Sequence, residues 1–364
     1  MSLNPTPAPE SPDGPPRHRR RLRTAHHIPP GPDSPRPVVP IAWFVVGILV
    51  AAGVGVIATA GYLALRPGSG SAHGPSTLSL TDDLGRNVTV PTDPARVVVL
   101  APSIMDEMFR LGLRSHVVGV DCYAPSFGGL SADYSPDQVS AWGLSSSMCV
   151  EVGPTFDAER LLNLTPQLVL ASTIVSVTAV QQITTTFHIP VVMVQPATLG
   201  GVLVDDSVLG RIFGVGGLAA NLNNALTGEM ANASALPGKV VAYPKVLITY
   251  TTDSNGYWSF GPGTFGESLV ELAGASSISA NATLPYPELS GEQVLAANPA
   301  RIVYGTGFGL ELANYTSAPS WGQLSAVKAG NLSGIDSNWI TEPDPTMILL
   351  GLPALIGIFH PHGT

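Results

Sequence analysis

The sequence predicts an α/β protein whose folded part forms two lobes with parallel sheets, preceded by one transmembrane helix. Three observations predict it. From about residue 78 onward, short β-branched runs of strand length alternate with helical segments, the pattern of strands paired in parallel through crossover helices. The alternation restarts after a long helical stretch, and 364 residues are enough for two such lobes. Upstream, Val38–Leu65 contains no charged residue.

Residues 1–40 are Pro-rich and polar, with Arg17, Arg19, Arg20, Arg21 and Arg23 clustered. Such a segment buries too little apolar surface to offset its ordering entropy, so a disordered cytoplasmic tail is expected. Residues 41–65 follow as the span. At about 1.5 Å per residue they reach about 37 Å, enough to cross the hydrocarbon core with some tilt. Trp43 and Tyr62 sit near the ends as interfacial anchors, and the upstream arginines outweigh the single downstream Arg66. The folded domain is thereby expected outside the cell membrane, single-pass, with a cytoplasmic N-terminus. A cleaved signal peptide is the competing reading, although its apolar region usually runs only about 7–15 residues. No cysteine lies directly after the span to take a lipid anchor. Residues 66–77 are a flexible linker rich in Gly, Ser and Pro.

Charge is unevenly placed. Residues 1–40 hold six Arg against three acids, whereas residues 66–364 hold eleven Lys and Arg against twenty-three acids. That acidity excludes a basic nucleic-acid surface on the folded part. Six of thirteen Asn lie in N-x-S/T sequons: Asn87, Asn163, Asn232, Asn281, Asn314 and Asn331. They fit a glycoprotein at the cell surface. The only cysteines, Cys122 and Cys149, lie beyond the span. In an oxidising compartment they predict a disulfide, with two free buried thiols as the alternative.

Within the folded part, Asp83-Leu84-Gly85-Arg86 is a turn between two short alternating runs. Arg96–Leu100 reads as a buried parallel strand. Ser103 is placed to cap a helix over 104–111, with Asp106 and Glu107 in its first turn where the helix dipole favours anions. Val117–Val120 is the next strand. Further units follow as a helix over 156–164 with a strand to Ala171, and a helix over 178–187 with a strand to Val194. Residues 202–235 form the longest helical pattern, with Val204, Val208, Ile212, Val215, Leu222, Leu226 and Met230 at spacings near three to four. The second lobe repeats the logic with a strand at 245–250, helices at 267–272 and 347–358, and a helix-Asn298-Pro299-strand unit.

These fragments also resemble a known family. D-x-x-G-R-x-V-x-V-P at 82–91 is followed by R-V-V-V-L-A-P-S at 96–103, L-G-L at 111–113 and V-V-G-V at 117–120. In this order they are similar to the opening of the substrate-binding proteins of ABC importers for vitamin B12, ferric siderophores and haem. E-R-L-L-N-L-T-P-Q-L-V-L at 159–170 and E-L-S-G-E-Q-V-L-A-A-N-P at 288–299 match two later units, and the likeness spans residues 78–361. The resemblance implies an N-terminal lobe at 78–200, a rigid backbone helix at 201–238 and a C-terminal lobe at 239–364. Large hinge closure is then not expected. Thr346 stands where the family usually has Arg, which predicts altered ligand contacts.

No G-x-S-x-G elbow, phosphate-binding loop or H-E-x-x-H is present, so an enzyme is not expected. The eight His do not assemble with acids into a metal site, and no cofactor is implied. Tyr123, Trp142 and Trp339 fall on strand-end loops, where ligands bind in open α/β sheets. Their flat faces suit a large planar ligand such as a corrin, and the resemblance implies cobalamin contacts at these positions. Tyr257, Trp258 and Phe260 are further ligand-binding candidates from the second lobe. A ferric siderophore or haem is the alternative ligand, with Tyr123 as candidate iron ligand. A tethered surface sensor or interaction domain is the alternative of another class. The family also docks one carboxylate per lobe onto arginines of its membrane permease, for which Asp106, Glu107 and Glu267 are the candidates. A monomeric ectodomain is expected.

Overall fold

The computed structural model describes residues 76–122, 143–152, 156–236, 243–252, 256–306, 311–316 and 321–361. The chain divides into units 1–72 and 73–364, and the described residues all belong to the second. The tail at 1–40, the expected span at 41–65 and nearly all of the linker lie outside them. Among the described residues no helix is long and apolar enough to cross a membrane.

Lobe 1 opens with an antiparallel hairpin, β1 (Thr77–Thr81) and β2 (Asn87–Pro91). Asp82 holds its turn closed by pairing with Arg86 at 2.6 Å. The same carboxylate accepts the Met193 N–H at 3.1 Å, which fastens the hairpin to the main sheet. That sheet comprises β3 (Val97–Leu100), β4 (Val117–Asp121), β5 (Cys149–Val150), β6 (Leu168–Ala171) and β7 (Val191–Met193). Its order is β5-β4-β3-β6-β7 with every pair parallel. β3 and β6 are buried along their whole length, because helices cover both faces. Val97 and Val99 pack with Ile104, Met105 and Met108 of α1 (Pro102–Arg110). Val98 and Leu100 face the other way, toward α2 (Ala158–Asn163) and α3 (Val177–Gln181). The helix expected from residue 104 starts two residues earlier, since Pro102 suits the first helical position. Ser103 therefore caps nothing, and Asp106 and Glu107 fall in the second turn.

The link between lobes differs from the expected single rod. It is a pair of helices, α4 (Leu199–Ile212) and α5 (Gly216–Ser234). Gly214 adopts φ 68°, and the Val215 N–H returns to the Gly210 carbonyl at 2.9 Å. This left-handed glycine closure ends a helix, and a side chain there would be strained. Leu199 and Val202 of α4 join the lobe 2 core, whereas Leu209 and Ile212 join that of lobe 1. α5 returns from Ala219 in the first core to Leu226 and Ala233 in the second. The lobes are thus bridged twice.

Lobe 2 holds a parallel sheet of β8 (Lys245–Thr249), β11 (Ser276–Ser277), β13 (Arg301–Thr306) and β14 (Leu332–Asp336), in the order β11-β8-β13-β14. A small antiparallel ribbon, β12-β10-β9, adds β9 (Thr251–Thr252), β10 (Tyr257–Trp258) and β12 (Glu288–Leu289). The helices in chain order are α6 (Phe265–Leu272), α7 (Gly291–Ala297), α8 (Leu312–Thr316), α9 (Ser325–Lys328), α10 (Asn338–Thr341) and α11 (Leu352–Phe359).

Both lobes reverse their winding at one place. The strand connections diverge between β3 and β6 in lobe 1, and between β8 and β13 in lobe 2. Ligand sites of open α/β sheets form outside the carboxyl ends of strands at such points. The entry to β6 and β13 is also shared. α2 is capped by Asp157 and α7 by Ser290. After each helix a left-handed residue, Thr165 or Asn298, precedes a proline and then the strand.

Candidate functional site

Segments at the carboxyl ends of the two sheets touch one another. Ser103, just beyond β3, donates to the carboxyl of Glu342, just beyond α10. Burial, then the charge of Asp121 at the end of β4, pushes Glu342 up to about 7. Next to them, Arg110 donates to Asp106 at 2.7 Å and to the Thr346 hydroxyl at 2.6 Å. That hydroxyl donates onward to Asp106 at 3.0 Å. Thr346 stands where the family was expected to carry Arg, and the guanidinium at this spot comes instead from Arg110 of lobe 1. An arginine at 346 would set a second cation against it.

An aromatic group lies at the carboxyl end of the lobe 2 sheet. Tyr250 directly follows β8, with its ring 4.8 Å from that of Phe260. Tyr286 meets Phe260 edge-on at 6.3 Å. The Tyr286 loop is held by two backbone bonds, Ser259 N–H to the Pro287 carbonyl at 3.0 Å and Gly261 N–H to the Pro285 carbonyl at 2.7 Å. A Cβ at Gly261 would collide with the Leu284 carbonyl, so this close approach requires glycine. Tyr250 is half-buried and Tyr286 is 42% exposed. Both rings therefore have surface to offer a ligand. Sequence reasoning passed over these two, although Tyr250 ends a strand and Tyr286 sits between prolines in a loop.

The expected ligand-binding residues fare unequally. Phe260 is 1% exposed and backs the aromatic group from within the core. Tyr257 is buried and points into a separate cluster, where it donates to the Tyr315 carbonyl at 3.2 Å and accepts from Trp321 Nε1. Neither side chain is placed to touch a ligand, because strand alternation and core packing turn them inward. Trp258 takes the opposite face of β10 from Tyr257 and is half-buried. Trp339, on α10, is also half-buried, and its enclosed indole N–H makes no hydrogen bond among the described residues. Tyr123 and Trp142 lie outside the described residues. Cys122 and Cys149, which bracket them in the sequence, are joined by a disulfide across the ends of β4 and β5.

The three carboxylates expected at a docking rim are buried. Asp106 is 2%, Glu107 0% and Glu267 5% exposed. Burial, then Glu271, pushes Glu267 up to about 7. An acid enclosed in this way cannot reach a partner's arginine. Exposed acids do occur at equivalent places in the lobes. Glu159 and Glu292 each occupy the second position of their helices, α2 and α7. A helix leading into a parallel strand runs against it, so both N-termini lie at the level of the carboxyl edges. Of the sequon asparagines, Asn87, Asn163, Asn232, Asn281 and Asn314 are exposed. Asn331 is half-buried and donates to the Ala300 carbonyl at 3.2 Å.

Two parallel-sheet lobes joined by a helix pair, each with a switch point at its carboxyl edge, have the architecture of a small-molecule binding protein. Residues 97–339 match the periplasmic binding protein family, and the chain belongs to that family. A cobalamin-binding protein of Halobacterium salinarum is 31% identical over 319 residues, covering 83% of this chain and 80% of its own length. A vitamin B12-binding protein of Pectobacterium atrosepticum is 25% identical, covering 70% of this chain and 85% of its own. Among solved structures, the periplasmic vitamin B12-binding protein of Vibrio cholerae aligns with a TM-score of 0.59 at 18% identity, over 74% of this chain and 98% of its own. A periplasmic haem-binding protein of Roseiflexus aligns at 0.61 with 22% identity, over 72% and 97%.

Proposed function

We propose that this chain is a membrane-anchored extracellular substrate-binding protein that delivers cobalamin or a related corrinoid to an ABC import permease. The observation that carries the reading is the aromatic group of Tyr250 and Tyr286 around Phe260 in a chain 31% identical to a cobalamin-binding relative. Aromatic faces bind a large flat ring through area rather than charge. Tyr123 and Trp142, between the two cysteines in sequence, are the ligand contacts from lobe 1. Residues 41–65 supply the anchor, and the linker keeps the folded domain near the membrane.

Glu159 and Glu292 are the carboxylates that dock onto permease arginines, one from each lobe. They replace the buried Asp106, Glu107 and Glu267 in that role because charge-assisted pairing between proteins requires surface access.

A haem or ferric siderophore reading is favoured by one observation, the phenols of Tyr250 and Tyr286 in the aromatic group, since phenolate is an iron ligand. Titration of the purified chain with cyanocobalamin, haemin and a ferric hydroxamate, followed by tryptophan fluorescence, separates these ligands. Saturable quenching by cyanocobalamin alone, weakened in Trp142→Ala and Trp339→Ala, is the expected result. Quenching by an iron ligand instead moves the substrate within the importer class. Silence toward all three favours a tethered sensor or interaction domain.

A further inference from the structure

The junction between the lobes is built from carboxyls. Asp106 and Glu107 come from α1, Asp205 and Asp206 from α4, and Glu342 and Asp344 from the segment that leads into the last helix. All but Glu342 are buried. Glu107 faces Asp205 and Asp206 of α4, Asp344 of lobe 2 and its neighbour Asp106. Asp206 faces Asp106 and Arg110. Asp344 faces Asp106, Glu342 and Arg110. Asp205 hydrogen-bonds to Asp83 of the β1–β2 turn.

Hydrogen bonding does not satisfy this set. Both carboxyl oxygens of Glu107 and both of Asp206 are enclosed and lack a hydrogen-bond partner among the described residues. An ionised carboxylate so placed is strongly disfavoured, whereas the neutral acid is tolerated. Burial, reinforced by the neighbouring carboxylates, holds Glu107 and Asp344 well above the ordinary range. The same causes push Asp205 up to about 8 and Asp206 up to about 7.

We propose that this cluster is a proton-held clasp between the lobes: protonated Glu107, Asp206 and Asp344 keep α1, α4 and residues 342–346 together, and their ionisation at alkaline pH loosens the contact. The sign follows from linkage. A carboxyl whose folded pKa is raised contributes its full stability below the unfolded value and loses it as pH rises through the folded one. For Asp206 the loss runs from 3.8 to about 7, and for Asp205 from 3.8 to about 8. The clasp borders the contact between Ser103 and Glu342, so its state sets how firmly the lobes are held before a ligand arrives.

Hydrogen exchange of the ligand-free full chain, compared at about pH 5.5 and about pH 8.5 and corrected for intrinsic chemical exchange, tests the clasp. Amides of residues 102–110 and 342–347 should exchange about tenfold faster at the higher pH. α7, which carries none of these carboxyls, should not change. In the isosteric double variant Glu107→Gln/Asp206→Asn the difference should shrink, because amides cannot ionise. Unchanged protection at 102–110 and 342–347 in the wild-type chain overturns the proposal. So does an equally large loss in the double variant. The wild-type arm stands by itself should the variant fail to fold.

Discussion

The two lobes share a scaffold and differ at their carboxyl edges. In each, a capped helix, a left-handed residue and a proline lead into the strand beside the switch point: Thr165-Pro166 before β6, Asn298-Pro299 before β13. Lobe 1 ties the ends of β4 and β5 together with the Cys122–Cys149 disulfide. Lobe 2 covers its edge with the hydrogen-bonded ribbon β12-β10-β9, from which the Tyr286 loop extends. The shared part is what a parallel sheet demands of its connections. The part that differs is where recognition lies, as expected for loops set on a rigid frame.

The strongest test of the likeness is charge reversal at its symmetric acids. Glu159→Lys and Glu292→Lys should each lower uptake in a reconstituted permease system by at least about a hundredfold at low salt, since like charges juxtaposed at an interface cost several kcal/mol. Ligand affinity, measured in the same preparations by fluorescence, should not change. Unequal effects would break the equivalence of the lobes, and undiminished uptake in both would remove these residues from docking.

The lobes differ next in what holds their loops. The disulfide closes a separation of 27 residues, worth about 3–4 kcal/mol by loop-closure entropy. Cys122→Ser should therefore lower the melting temperature by about 5–10 °C in calorimetry. Cobalamin binding should weaken with it, because the proposed contacts Tyr123 and Trp142 lie between the two cysteines in sequence. A variant with unchanged melting but weaker binding would show that the bond organises the ligand site without stabilising the lobe.

Much of the scaffold was legible because its signals are local. The Val97–Leu100 and Leu168–Ala171 runs are apolar at every position, which only a strand covered on both faces requires. The break between α4 and α5 was hidden, because Val208, Ile212, Val215 and Leu222 keep a helical spacing straight through Gly214. Asp106 was read as a first-turn acid by taking Ser103 as a cap. Pro102 at the first helical position was the better signal, and it moved both acids into the buried second turn. The site was less legible because it depends on which way side chains face across long distances. Tyr257 and Trp258 are adjacent, yet only the partners Tyr315 and Trp321, distant in sequence, decide which one turns inward. Exposure of Glu159 and Glu292 likewise belongs to the folded surface, not to the spacing.

The smallest effect concerns lobe 2 alone and separates exposed ring from core. Tyr286 is 42% exposed with its ring edge against Phe260, so Tyr286→Ala should leave melting nearly unchanged and weaken cyanocobalamin binding by about tenfold, the loss of one stacked aromatic face. Tyr257→Phe should do the reverse. Its hydroxyl accepts from the buried Trp321 Nε1 and donates to the Tyr315 carbonyl. Removing it strands both groups at a cost of about 1–3 kcal/mol, while the ligand should bind as before. Fluorescence titration and calorimetry on the same two variants give four values. If Tyr257→Phe weakens binding as much as Tyr286→Ala does, the ribbon transmits its packing to the ligand, and the division between a rigid core and a recognising surface does not hold in this lobe.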